Sequence, residues 1–162
     1  MTMDPLLSLT ILLLSATPFI EARYAIPLAM NQFGFSAPEA FALGMAGNIL
    51  PVIALLLYLE PVSEALSRWH VRFQQFFSWL FERTRRHSDS FERWGALALI
   101  PFVAVPLPIT GAWTACAAAF VFGIRFRYAF PTITAGMIIA AMLTTVGITS
   151  MQALLEATGV IP

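Results

Sequence analysis

The sequence predicts an all-α integral membrane protein built as an inverted repeat. Each half is a re-entrant helical hairpin plus one transmembrane helix, and a cytoplasmic amphipathic helix lies between the halves. Three observations lead there. Of the 162 residues, 59% are hydrophobic and 11% charged, against about 45–50% and about 25% in soluble domains. Four apolar regions are present, and only two suit one straight crossing. The arginines fall where a hairpin threading gathers them on one side of the membrane and four plain crossings do not.

Mean hydropathy is +0.78. This composition excludes a disordered chain, a nucleic-acid-binding protein and an ordinary soluble enzyme. Nine bases, all arginine, balance nine acids, so no global field recruits nucleic acid. Cys116 has no partner for an internal disulfide and reads as a small buried hydrophobe. His70 and His87 stand apart with no ligand at metal spacing, so no metal site is expected. Residues 1–20 lack a basic start and carry Asp4, so they read as mature membrane sequence rather than a signal peptide.

The first apolar region, Pro5 to Ile20, has 16 residues. That is about 24 Å of helix at roughly 1.5 Å per residue, short of the roughly 30 Å bilayer core. With Glu21-Ala22-Arg23 and the apolar Tyr24 to Met30 behind it, it reads as a hairpin turning near Glu21–Pro27. The second region, Ala40 to Leu59, is a spanning helix. Glu60 to Trp94 then holds six of the nine arginines and five of the nine acids. Its apolar residues Val62, Leu66, Trp69, Phe73, Phe76 and Leu80 step by four and three. That is an amphipathic helix resting on the membrane surface or on the protein. Pro61 suits a first helical position, and Trp69, Trp79 and Trp94 suit interfacial anchoring. Asp89 to Glu92 reads as a capping box that opens a new helix near Ser90. The third region, Gly95 to Ile124, is broken by Pro101, Pro106, Pro108 and Gly111. Broken backbone at membrane depth needs protein or a watery cavity around it, so this is a second hairpin, turning near Val105–Gly111. The fourth region, Tyr128 to Leu155, spans. The chain is one membrane domain, 1–162: first repeat 1–59, cytoplasmic segment 60–94, second repeat 95–162.

Threaded this way, eight of nine arginines are cytoplasmic, including Arg125 and Arg127, and Arg23 alone lies within the membrane region. Short sequence echoes support two related halves. Pro18-Phe19-Ile20 matches Pro101-Phe102-Val103, and Phe35, Pro38 and Gly44-Met45 match Phe126, Pro131 and Gly136-Met137. One spanning helix per half makes the halves opposite in orientation. Inverted repeats with broken helices meeting at midplane mark transporters.

Glu21 and Arg23 are the charged pair flanked by apolar sequence on both sides. Each costs at least about 2.5–3.5 kcal/mol inside a bilayer, so both are functional candidates by default. In an extended segment their side chains share a side. Glu21 could then carry a proton or attract a cation, while Arg23 holds a phosphate or carboxylate. The plain alternative is that they mark the watery end of a marginal helix. Pro27 follows within the same motif. Pro106-Leu107-Pro108-Ile109-Thr110-Gly111-Ala112-Trp113 is the matching feature of the second half. Pro106, Pro108, Thr110, Gly111 and Trp113 can line a substrate or ion site but cannot do acid–base work; a structural helix break explains them equally well. Asn48 is a buried amide that contacts a hairpin tip or packs helices. No nucleophile–base arrangement and no phosphate-binding glycine loop occur. No enzyme activity, catalytic residue or cofactor is expected.

The runs Pro18 to Pro27 and Pro106 to Trp113 resemble the small multidrug export family of prokaryotic membrane proteins. The likeness covers roughly residues 5–155 and implies export of small molecules. The hairpin-plus-helix layout is also similar to the DedA (VTT-domain) superfamily, whose members are associated with moving lipids, including polyprenyl phosphate carriers. Glu21 corresponds in kind to the acid of the first DedA hairpin. DedA-like proteins also carry arginine in the second hairpin, and Val105 to Trp113 has none. Arg23, with Arg125 or Arg127 at the entrance, would have to supply that charge.

The expectation is therefore an inner-membrane, multi-pass transporter, ion- or proton-coupled, exporting small molecules. Glu21 would be the coupling acid. The alternatives are a DedA-like lipid translocase and a non-transport scaffold that binds a partner or anionic lipid through 60–94. The expected partners are membrane lipids, a small-molecule or lipid substrate and a second copy of the chain, with no nucleic acid.

Overall fold

The computed structural model describes residues 4–69, 71–84, 89–105 and 111–158. Seven helices, and no strand, occur among them: α1 (Pro5–Ser15), α2 (Glu21–Phe33), α3 (Ala37–Trp69), α4 (Val71–Thr84), α5 (Asp89–Ala104), α6 (Ala112–Val121) and α7 (Phe126–Ala157). The 33-residue α3 and 32-residue α7 are long and apolar enough to cross a membrane. The others have 10 to 16 residues, so none exceeds about 24 Å.

Local chemistry sets the helix ends. Asp4 caps α1 by accepting the Leu6 N–H at 2.9 Å, and Pro5 occupies its first turn. Glu39 reaches back to the start of α3: the Ser36 N–H and hydroxyl both donate to Glu39 Oε2, at 3.0 and 2.6 Å. Helices α2 and α6 end alike. Gly34 and Gly123 take left-handed φ of 67° and 66°, and the following N–H reaches back to Ala29 O or Ala119 O.

Several expectations are corrected. The first turn lies at 16–20, not near Glu21–Pro27. Thr17 organises it, its hydroxyl donating to Leu14 O at 2.7 Å and accepting the Ile20 N–H at 3.4 Å. Residues 21–27 are helical, with Pro27 inside α2. Pro61 does not begin a helix: α3 runs through Pro51 and Pro61 and continues past residue 59 to Trp69. The missing proline hydrogen bonds leave α3 continuous. Helix α5 starts at Asp89, close to the expected Ser90, and runs through Pro101, which does not break it; the helix ends at Ala104, and the second break opens at Val105, within the expected Val105–Gly111.

The helices pack in a crossed pattern. Each of α2 and α6 packs on both long helices; α1 lies on α2 and α3, α5 on α6 and α7. Small residues let backbones approach, as between membrane helices. A Cβ on Gly47 would stand 3.0 Å from Leu12 Cα, and one on Gly136 would stand 2.9 Å from Ile100 O. The buried Ser15 hydroxyl donates to Gly44 O. Cys116 is buried, its thiol 3.9 Å from Val52 O.

At the opposite end of the α5–α6 pair, Glu92 grips the α6–α7 link. It accepts from the Arg125 backbone N–H (2.7 Å) and the Arg125 guanidinium (Nη2, 2.6 Å). This pairing holds the Glu92 carboxyl below its ordinary range. The contact is therefore intact above the usual carboxylate range and lost as pH falls through the lowered value. Arg93 and Arg127 both lie over the Tyr128 ring, at 5.8 and 4.6 Å. The start of α5 and the Arg125–Arg127 link thus share one end of the molecule. Single cysteines at Ser90 and Arg127, in a Cys116→Ala background, are expected to react with an impermeant maleimide from the same side of the membrane. Labelling from opposite sides contradicts this arrangement.

Candidate functional site

Glu21 opens α2 and is the non-glycine residue with positive φ among those described, at 50°. Such a conformation costs on the order of 1–3 kcal/mol and persists where surroundings enforce it. The surroundings here are the tip of the other helix pair. Glu21 Oε1 accepts the Ala112 N–H at 3.1 Å, a contact spanning 91 residues of sequence. The Trp113 N–H lies against the same carboxylate. Arg23 Nη2 stands 3.2 Å from Glu21 Oε2. Both side chains are buried, Glu21 3% and Arg23 4% exposed.

The first N–H groups of any helix lack intrahelical partners and carry partial positive charge. Helix α6 presents these groups to Glu21. The carboxylate is thus an anion seated between a helix N-terminus and a guanidinium, both of which favour negative charge there. The Arg23 guanidinium also lies 5.6 Å from the centre of the Tyr24 ring. Glycine at 111 is required by space, since its backbone is ordinary extended chain (φ −172°). A Cβ there would overlap the Glu21 carboxylate and stand 2.7 Å from Arg23 Nη2. The Thr114 hydroxyl fixes the α6 entrance, donating to Gly111 O and accepting the Gly111 N–H, both at 3.0 Å.

Of the residues singled out in the sequence, Glu21, Arg23, Gly111 and Trp113 come together. They do so by a different route from the one expected: Glu21 and Arg23 are helical rather than extended, and the left-handed turn at Glu21 brings their side chains into contact. Pro27 is buried one turn after Arg23 in α2, and has no N–H of its own to donate along the helix. Asn48 is buried on α3 between Gly44, which accepts from Ser15, and Val52, which faces Cys116 of α6. It therefore sits between the two helix pairs. Asn48 Oδ1 and Trp113 Nε1 are buried with no hydrogen-bond partner among the described residues. Pro106, Pro108 and Thr110 lie outside the described residues. Sequence reasoning passed over the Ala112 N–H, Thr114 and Ser15. Gly111-Ala112-Trp113-Thr114 carried a signal, since glycine followed three residues later by a hydroxyl fits a helix start.

The arrangement can hold one negative charge, exchange it for a proton, or give up the seat to another anion. Gly111→Ala is expected to lower the thermal midpoint by the equivalent of about 1–3 kcal/mol, the usual cost of forcing an extra carbon into a packed site. Gly147→Ala, where a Cβ meets nothing within 4 Å, should stay within about 0.5 kcal/mol. Equal shifts in thermal unfolding would contradict the close approach at Gly111.

The family described as "Putative small multi-drug export protein" matches residues 21–143. The match opens at Glu21 and runs from α2 into the middle of α7, about three quarters of the chain. No curated protein and no solved structure matches. With that share of its length matched, and two helices fit to span a bilayer, the chain belongs to the small multi-drug export family of membrane proteins.

Proposed function

We propose that the chain is an ion- or proton-coupled exporter of small molecules in the inner membrane, with Glu21 as the coupling acid and Arg23 as its partner. The α1–α2 and α5–α6 pairs are re-entrant hairpins related as an inverted repeat, and their tips meet near the midplane. The observation that carries the reading is the Glu21–Ala112 contact, which joins the two tips through a buried charge. Such a charge is costly in a bilayer and usually lies on an ion or substrate path. Three further features support the layout: the short helices cannot cross alone, both pairs end in a left-handed glycine, and each pair's second helix packs on both long helices. The Glu92–Arg125 contact fits a cytoplasmic mouth for the second hairpin. A homodimer would cover α7 beyond Ala141, which is largely exposed in the single chain.

A second reading, DedA-like lipid translocation, is favoured by the pairing of Arg23 with the α6 N-terminus, which together suit an anionic headgroup. The test uses proteoliposomes loaded with a pH dye and challenged with ethidium and with benzoate. At least one solute is expected to drive a pH change in wild type that falls tenfold or more in Glu21→Gln, with equal amounts of monodisperse protein. Undiminished coupled transport in the variant overturns the role of Glu21.

A further inference from the structure

We infer that Glu21 is a tethered stand-in for a monovalent oxyanion ligand: protonation frees the seat formed by Arg23 and the first N–H groups of α6, and one external oxyanion takes the carboxylate's place. This deepens the transporter reading and rests on it. The ligand class is a carboxylate, sulfonate or phosphodiester group, carried by a free solute or by a lipid.

Charge conservation is the first argument. The buried seat holds one guanidinium and one carboxylate, 3.2 Å apart. Adding an anion alone would leave a net charge in an apolar setting, which is costly. Adding an anion together with a proton on Glu21 leaves the charge unchanged: one O–H bond forms on the carboxyl, and the anion inherits the Arg23 and α6 contacts. Among the described residues, no other group nearby can take the proton as readily: the titratable or charged groups facing Glu21 are Arg23 on its own helix and Cys116 on α6. Among the described residues, α1 and the buried stretches of α3 and α7 packed on α2 contribute none.

Geometry is the second argument. The seat already fits an oxyanion, with one oxygen on the Ala112 N–H and the other on the guanidinium. Gly111 keeps that space clear of side chain. The occupant is held in a left-handed conformation that its residue type disfavours, so release relieves strain. A protonated carboxyl is also a new donor. Asn48 Oδ1 is a buried acceptor with no partner among the described residues, on the face of α3 that lies between the helix pairs.

The test measures ligand-induced thermal stabilisation of the full chain in nanodiscs, from mildly acidic to mildly alkaline pH. One series adds methanesulfonate to phosphatidylcholine discs; the other replaces part of the phosphatidylcholine with phosphatidylglycerol. Both probes keep a single negative charge throughout. For one probe, wild-type apparent affinity should rise about tenfold per pH unit lowered until Glu21 is fully protonated, the slope of one proton per anion. Glu21→Gln should bind that probe with an affinity that does not change with pH and equals the wild-type acid limit. Response to methanesulfonate assigns a free solute, and response to phosphatidylglycerol a lipid headgroup. Wild-type binding that is flat in pH, or binding of neither probe, overturns the inference. If Glu21→Gln fails to fold, the wild-type slope decides alone. Coupled transport of ethidium without oxyanion binding would sink this inference and leave the transporter reading standing; pH-linked binding without transport would do the reverse.

Discussion

A carboxylate at the head of one short helix satisfies the backbone donors at the head of another. Glu21 and the α6 N-terminus are each costly to bury alone. The carboxylate would be an uncompensated charge, and the Ala112 N–H an orphan donor at a fully buried residue. Set against each other, with Arg23 on the second carboxylate oxygen, they make a neutral, hydrogen-bonded unit. Truncating one partner of such a unit typically costs several kcal/mol, about 3–5, because the other is left buried and unpaired.

The rest of the fold serves to bring these two tips together. Short helices with small faces approach α3 and α7 closely enough for glycine to be required at 47 and 136. Thr17 closes the first turn, Thr114 holds the start of α6, and left-handed glycines at 34 and 123 redirect the chain into the long helices. Far from the tips, Glu92 and Arg125 tie the α6–α7 link to the start of α5. The tips are thus positioned by backbone packing, and the Glu92–Arg125 contact fixes the other end. An apolar core alone would allow the short helices to slide. The Glu21 carboxylate adds a specific register, since it meets the Ala112 and Trp113 N–H groups at the head of α6.

Much of this was legible in residue order. Two charges within an apolar stretch singled out Glu21 and Arg23, because burying them needs compensation. Prolines and Gly111 located the second break. The first break lies before Glu21 rather than at Glu21–Pro27, because charge does not end a helix when a tertiary partner compensates it, and packing on α3 and α7 carries α2 through Pro27. Pro51 and Pro61 within α3 follow the same rule. The left-handed turn at Glu21 could not be read, since glutamate has no preference for it; it arises from the tertiary contact with α6. Contacts across 91 residues leave no local pattern, so the Ala112 donor was invisible while Gly111 and Trp113 beside it were not. The Ser36–Glu39 pair at the start of α3 has the S-x-x-E spacing that marks a helix start and is legible in the sequence.

Amide hydrogen exchange at Ala112 tests the Glu21–α6 bridge most directly. The first N–H groups of a helix have no partner within it, so protection at this position depends on Glu21. In the full chain in nanodiscs, Glu21→Ala should raise exchange at the Ala112 amide strongly, while amides deeper in α6, such as Ala119, keep their wild-type rates. Equal exchange at Ala112 in wild type and variant would contradict the bridge.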